Sequence, residues 1–137
     1  MEAIRWIGDW KLDDHPTDHN SMLLDQDFGV QLTDGRKIIC RARAVPVNGA
    51  SFPWFVSPLL GGTPWRGPWK YGSTIHDYAY ALGIDRKFAD NLFLACLKLE
   101  GCPRWKCHAM YYGVRFGGWV PYKRMQKSRV GNGYPVG

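Results

Sequence analysis

The sequence predicts an α+β protein: an N-terminal antiparallel β-hairpin or small sheet, an irregular connection, then three helices with an antiparallel helical hairpin at the core. Three observations carry this reading. Asp34-Gly35 separates two apolar-rich runs. Residues 45–67 are crowded with Pro, Gly and Trp. Beyond residue 68, apolar residues recur at helical spacing between start and stop signals.

Phe28–Thr33 and Arg36–Arg41 read as the hairpin strands. A two-residue Asp-Gly link predicts a type I′ turn, in which both central residues need positive φ. Met22-Leu23-Leu24 adds a further strand. Upstream, Asp13–Asn20 holds two His and three Asp, and reads as a solvated turn rather than a metal site. Residues 45–67 suit neither helix nor central strand, yet keep enough apolar side chains to be ordered. They cover part of the core or rim a site.

The first helix begins near Pro68 and stops at Gly83, a natural left-handed cap. Asp85 caps the second, which ends before Gly101 and carries Phe88, Leu92, Cys96 and Leu99 as a buried stripe. The third opens at Cys102-Pro103 and closes at Gly117-Gly118. This divides the chain into a single compact domain, 1–118, and a basic, Gly-rich C-terminal extension, 119–137.

At 137 residues the chain is long enough for one modest core. Its net charge is +6, and Lys123, Arg124, Lys127 and Arg129 stand in the extension without an acidic neighbour. No zinc-finger, helix-turn-helix or RNA-recognition signature makes nucleic acid the partner. Seven Trp and seven Tyr are many for this length; Trp65, Trp69 and Trp119, beside Gly or Pro, are expected at the surface. Cys96-x5-Cys102-x4-Cys107-His108 lacks the paired short spacing of a structural zinc site, so the four cysteines read as buried thiols. No signal peptide opens the chain, and no run is long enough to span a membrane. The expectation is a protein kept in a cytoplasm.

The chemistry concentrates in Ser73-Thr74-Ile75-His76-Asp77-Tyr78-Ala79-Tyr80 and in Asp90. With only about three residues between the first two helices, they lie antiparallel. Asp90 then falls about two residues, ~3 Å, from the position opposite His76. A carboxylate there fixes the imidazole tautomer and stabilises its cation, as a general base requires. Phe93, Leu94 and Leu97 surround Asp90 on its helix, so the carboxylate needs a partner: His76, Arg86 or a Tyr hydroxyl. Ser73, His76 and Tyr80 share one stripe of the first helix. His76, Asp90 and Tyr80 are the candidate catalytic residues. The plain alternative is a satisfied polar contact that fixes helix packing.

Asn48-Gly49-Ala50-Ser51-Phe52-Pro53, Leu59-Leu60-Gly61, His76-Asp77-Tyr78-x-Tyr80, Arg86-Lys87-x-Ala89-Asp90-x-x-Phe93, Arg104-Trp105 and Met110-Tyr111 resemble, in that order, a family of small tailed-phage and prophage proteins known as domain of unknown function 1353. The resemblance spans roughly residues 22–118. That family usually has Asp where this chain has Asn48, which weakens any cation site at that position. The helix motif is also similar, more loosely, to that of calcium-dependent phospholipases, His-Asp-x-x-Tyr. There the His activates water, the next residue holds calcium and a facing Asp orients the His. By that likeness Asp77, with Asn48, would hold Ca2+ or another divalent cation. The glycine calcium loop and dense disulfides of the secreted enzymes are missing.

The phage resemblance implies a virion or assembly-associated protein of tail or baseplate type, partnered by other phage structural proteins or by itself, in the virion or in the host cytoplasm during assembly. The alternative is a small hydrolase acting on phospholipid or peptidoglycan of the cell envelope, with His76 as general base.

Overall fold

The computed structural model describes residues 1–17, 21–54 and 57–131, with side chains for all of these except 57 and 127–131. Five strands come first: β1 Ala3–Ile7, β2 Leu12–Asp14, β3 Met22–Leu24, β4 Phe28–Leu32 and β5 Lys37–Cys40. They form an antiparallel three-stranded sheet of order β1-β4-β5 and a separate β2-β3 pair. The expected loop Asp13–Asn20 is thus partly strand β2, and its residues 18–20 lie outside the described residues.

The hairpin forms where Asp34-Gly35 predicts it, but with a different turn. Gln31 pairs with Lys37, Leu32 N–H donates to Arg36 O (2.8 Å) and Gly35 N–H donates to Leu32 O (3.0 Å). The loop is therefore three residues, Thr33-Asp34-Gly35, and Gly35 (φ 91°) takes the left-handed position while Asp34 does not. A three-residue loop of this kind needs positive φ at one position only. Asp34 instead uses its carboxylate to accept the Arg36 N–H (3.0 Å).

Five helices follow: α1 Ser57–Leu60, α2 Lys70–Leu82, α3 Arg86–Leu99, α4 Arg104–Gly117 and α5 Trp119–Gly131. α2 starts two residues after Pro68 without a side-chain cap of its own. The Glu100 carboxylate, just past α3, accepts the Tyr71 and Gly72 N–H groups instead (3.1 Å each). Gly83 (φ 77°) ends α2, and Asp85 caps α3 by accepting the Phe88 N–H at 3.0 Å. That short link sets α2 and α3 antiparallel. α2 is buried from Gly72 to Ala81. One core cluster joins Phe28, Val30, Leu32, Ile75 and Leu92; another joins Phe52, Trp69, Phe93, Leu97 and Met110.

Residues 119–131 are helix, not the Gly-rich extension the composition suggests; residues 132–137 lie outside the described residues. Pro121 sits in the first turn of α5, where its missing N–H costs no helical bond. The helix is tied to α2: Met125 is buried, the Tyr122 hydroxyl donates to Gly83 O (3.2 Å) and Gln126 Nε2 donates to Tyr80 O (2.5 Å). Trp69 is not at the surface as its Pro and Gly neighbours suggest. It is buried, its ring seated beside Gly62 and Gly67 and its Nε1–H donated to Thr63 O (2.7 Å); Trp65 is half-buried and Trp119 exposed. All four cysteines are buried free thiols. Among the described residues, no helix is long and apolar enough to cross a membrane.

Candidate active site

The helical hairpin brings His76 and Asp90 together. His76 Nε2 lies 2.7 Å from Asp90 Oδ1, and both side chains are essentially inaccessible. The Tyr80 hydroxyl donates to the same oxygen at 2.6 Å. Arg115, from α4, donates to Asp90 Oδ2 at 2.7 Å, with Arg86 Nη1 at 3.4 Å. Arg86 is itself held by the carbonyls of Val114 (2.9 Å) and Arg115 (3.3 Å), near the end of α4. Phe93 and Tyr80 flank the imidazole, with ring centroids 4.5 and 4.2 Å away.

Burial pushes the Asp90 carboxyl up, but the hydrogen bonds from His76, Tyr80 and Arg115 outweigh it and hold the group below the usual carboxylate range. Asp90 is thus an anion that keeps its four neighbours in place. Burial raises the Tyr80 phenol, and the adjacent Asp90 raises it further, so Tyr80 stays a proton donor to Asp90. Its hydroxyl is engaged by Asp90, so Tyr80 helps hold the carboxylate in place.

The other imidazole nitrogen, Nδ1, lies 3.0 Å from Ser51 Oγ. Ser51 stands in the irregular connection, which folds over α2 because Asp77 gathers its polar groups. Asp77 Oδ1 accepts the Ser51 hydroxyl (2.9 Å) and the Ser51 N–H (3.1 Å), and Oδ2 accepts the Asn48 N–H (2.8 Å). Asn48 Oδ1 accepts the Ala50 N–H at 2.9 Å and tightens the turn. Gly49 holds the left-handed position there, with φ 73°.

Burial raises the Asp77 carboxyl despite the N–H and O–H groups that favour its anion. The Ser51 hydroxyl stands between the imidazole and Asp77, within hydrogen-bond reach of both.

Asp77 and Asn48, the expected cation ligands, are adjacent, but their donor set does not fit a divalent cation. Calcium needs several oxygens converging on it. Both Asp77 oxygens face N–H or O–H hydrogens, and the Asn48 side-chain oxygen is engaged by Ala50. Among the described residues, no group of three or more His, Cys, Asp or Glu side chains suits a metal.

A cleft of about 220 Å³ opens beside the chain of polar groups. Residues 50–54 form one wall; Gly113, Gly117, Gly118, Val120 and Pro121 form the other. Of the groups linked to His76, Ser51 lines the cleft although it is only 3% exposed, while His76 and Asp90 are buried and are not among the lining residues. A Cβ at Gly118 would come within 2.5 Å of the Tyr80 hydroxyl, so the second wall rests directly on the buried network.

The residue pattern alone missed Ser51 and Arg115 as parts of the site. Ser51 does lie within the Asn48–Pro53 string that carries the family resemblance. Arg115 has no local signal beyond a basic residue in the last turn of a helix.

A family model described as "Protein of unknown function (DUF1353)" matches residues 22–114, well over half of the chain. The match takes in Asn48, Ser51, His76, Asp77, Tyr80 and Asp90, and ends one residue before Arg115. No curated protein and no solved structure matches the chain.

Proposed function

The chain belongs to the DUF1353 family, and from that premise we propose that it is a small hydrolase in which His76 is the general base, Ser51 the nucleophile and Asp90 the group that orients the base. The observation that carries this is the line Ser51 Oγ–His76–Asp90, with spacings of 3.0 and 2.7 Å, beginning at a buried residue that lines the cleft. A nucleophile, its base and the base's orienting carboxylate are three of the parts an acyl-transfer site uses.

In the first half-reaction, Ser51 Oγ bonds to the substrate carbonyl carbon and its proton passes to His76 Nδ1. The bond to the leaving group breaks, and the leaving group takes that proton from Nδ1. Water then bonds to the acyl carbon, gives a proton to His76 and releases the acid as Ser51 regains its hydrogen. Asp90 stabilises the imidazolium each time, while Tyr80 and Arg115 hold Asp90 still. The apolar walls, with Phe52, Pro53, Val120 and Pro121, favour a substrate with an apolar acyl portion.

The test is hydrolysis of a soluble ester, phospholipid and peptidoglycan by the purified protein, with labelling by a phosphonofluoridate probe mapped by mass spectrometry. Ser51→Ala, His76→Ala and Asp90→Asn should each lower turnover by roughly 10²–10⁴, and the label should sit on Ser51. A parent protein that is folded by circular dichroism yet hydrolyses none of the three sinks the reading.

A second reading is a virion or assembly-associated phage protein of tail or baseplate type. Its supports are the motif resemblance and the exposed Trp54 and Leu59 of the irregular connection, apolar side chains suited to contact with another chain. The two readings are compatible. Antibody detection of the protein in purified particles, against its complete absence from them, decides the second.

A further inference from the structure

We propose that the exposed face running from α4 into α5 is a docking surface for an anionic lipid layer, which it holds against the mouth of the cleft. Trp105, Tyr112, Phe116 and Trp119 are each more than half exposed. Their spacings of seven, four and three residues place them along one side of α4 and its junction with α5. Tyr112 and Phe116 stack, with centroids 6.4 Å apart. Four large aromatic side chains in water along one stripe are more than scattered surface apolar residues.

Charge selects the occupant. From residue 101 to the end of the chain there is no Asp or Glu, against seven Lys and Arg. Two of these cations lie beside exposed rings: Lys106 Nζ, which also donates to Leu60 O, is 5.5 Å from the Trp105 ring, and Lys123 Nζ is 5.5 Å from the Trp119 ring. Arg104, Lys123 and Arg124 are exposed on the same two helices. Amphipathic rings with neighbouring cations are the composition that settles at the headgroup level of an anionic bilayer. An acidic protein surface would satisfy the cations but would leave Phe116, the most exposed of the four, without an apolar layer to enter.

The face is continuous with the cleft. Phe116 and Trp119 bracket Gly117 and Gly118, and Val120 follows; these last three line the second wall. A lipid layer seated on the aromatic stripe lies against the opening that leads to Ser51. If the hydrolase reading holds, on which this part rests, the substrate class is an acyl ester of a membrane lipid, presented from the layer.

The experiment is co-sedimentation of the full chain with phosphatidylglycerol or phosphatidylcholine vesicles, with Trp fluorescence as a second readout. The expected result is at least tenfold tighter binding to phosphatidylglycerol, weakened at least tenfold by the pair Trp105→Ser and Phe116→Ser and separately by Lys123→Glu. These positions are exposed, and circular dichroism checks that the variants fold. No binding to either vesicle overturns the proposal, as does a serine pair that binds like the parent. Binding to polyglutamate as tight as to phosphatidylglycerol, and equally insensitive to the serine pair, assigns the face to an acidic protein and also overturns it. Ser51→Ala should keep vesicle binding. Binding without hydrolysis of any substrate removes the hydrolase reading alone; soluble-ester hydrolysis without vesicle binding removes the docking surface alone.

Discussion

Tyr80 donates its hydroxyl to Asp90 Oδ1 across 2.6 Å, to the same oxygen that faces His76. One carboxylate oxygen therefore fixes both the imidazole and the phenol that packs against it. Tyr80→Phe removes that donor and leaves the ring in place. A hydrogen bond to a charged group contributes about 1.5–3 kcal/mol, and the stability loss should lie at its lower end because His76, Arg115 and Arg86 still hold Asp90. Turnover should fall about tenfold with KM little changed, since the effect acts through the base's orientation and not through substrate contact. Thermal melts and steady-state kinetics with a soluble ester check both parts. A KM change with unaltered kcat would place Tyr80 in the substrate site.

The two carboxylates respond to pH in opposite directions. The folded-state pKa of Asp77 is raised, mainly by burial. The folded protein therefore binds more protons than the unfolded chain between the unfolded value, about 3.9, and the raised one, and stability falls as pH rises through that window. Asp77→Asn should remove this dependence: the Tm of the parent relative to the variant should drop as pH rises from about 3.9 through the raised value and level off on either side. Asp90 is held low by its hydrogen bonds, which outweigh burial, so its contribution is present above about pH 3.9 and disappears on acidification below it. Melts of the parent and the two Asn variants across pH 2–8 test the signs. A parent-to-variant Tm difference for Asp77→Asn that rises with pH contradicts the assignment.

Much of the fold was legible because its signals are local. Gly83 and Asp85 mark the turn between α2 and α3, and that turn alone fixes the register which puts Asp90 at His76. The hairpin position was equally plain from Asp34-Gly35, but its loop length depends on how the strands pair, which a dipeptide does not specify. Ser51 and Arg115 were not legible, because each reaches the site through contacts 25 residues away in sequence, to His76 and to Asp90 respectively. α5 was hidden by its composition. Its helix is held by Tyr122, Met125 and Gln126 against α2, so tertiary packing overrides a weak local preference.

Ser73 was expected on the polar stripe with His76 and Tyr80. Its hydroxyl is buried without a hydrogen-bond partner among the described residues. An unsatisfied buried hydroxyl costs about 1–3 kcal/mol, so Ser73→Ala should raise stability by about 1 kcal/mol while leaving hydrolysis unchanged. Denaturant melts measure it; a loss of stability would reveal a partner for the hydroxyl.

Gly118 is where the cleft meets the buried network, and a single methyl group there tests whether the two are coupled. A Cβ at this position would lie 2.5 Å from the Tyr80 hydroxyl and would also press on the Val114 carbonyl. The backbone φ is −71°, so alanine is not excluded by conformation; any effect comes from space. Tyr80 cannot retreat easily, because its ring is fully buried and its hydroxyl is tied to Asp90. The strain therefore divides between moving the α4–α5 junction, which forms one cleft wall, and loosening the Tyr80–Asp90 bond. Overpacking of this kind costs about 1–3 kcal/mol. Gly118→Ala should accordingly lower both stability and turnover. Combining it with Tyr80→Phe, which removes the atom it strikes, should recover part of the stability, so that the two changes together cost less than their separate effects added. A double-mutant cycle in thermal melts measures this coupling. Strict additivity would show that the Gly118 wall and the His76–Asp90 network are independent.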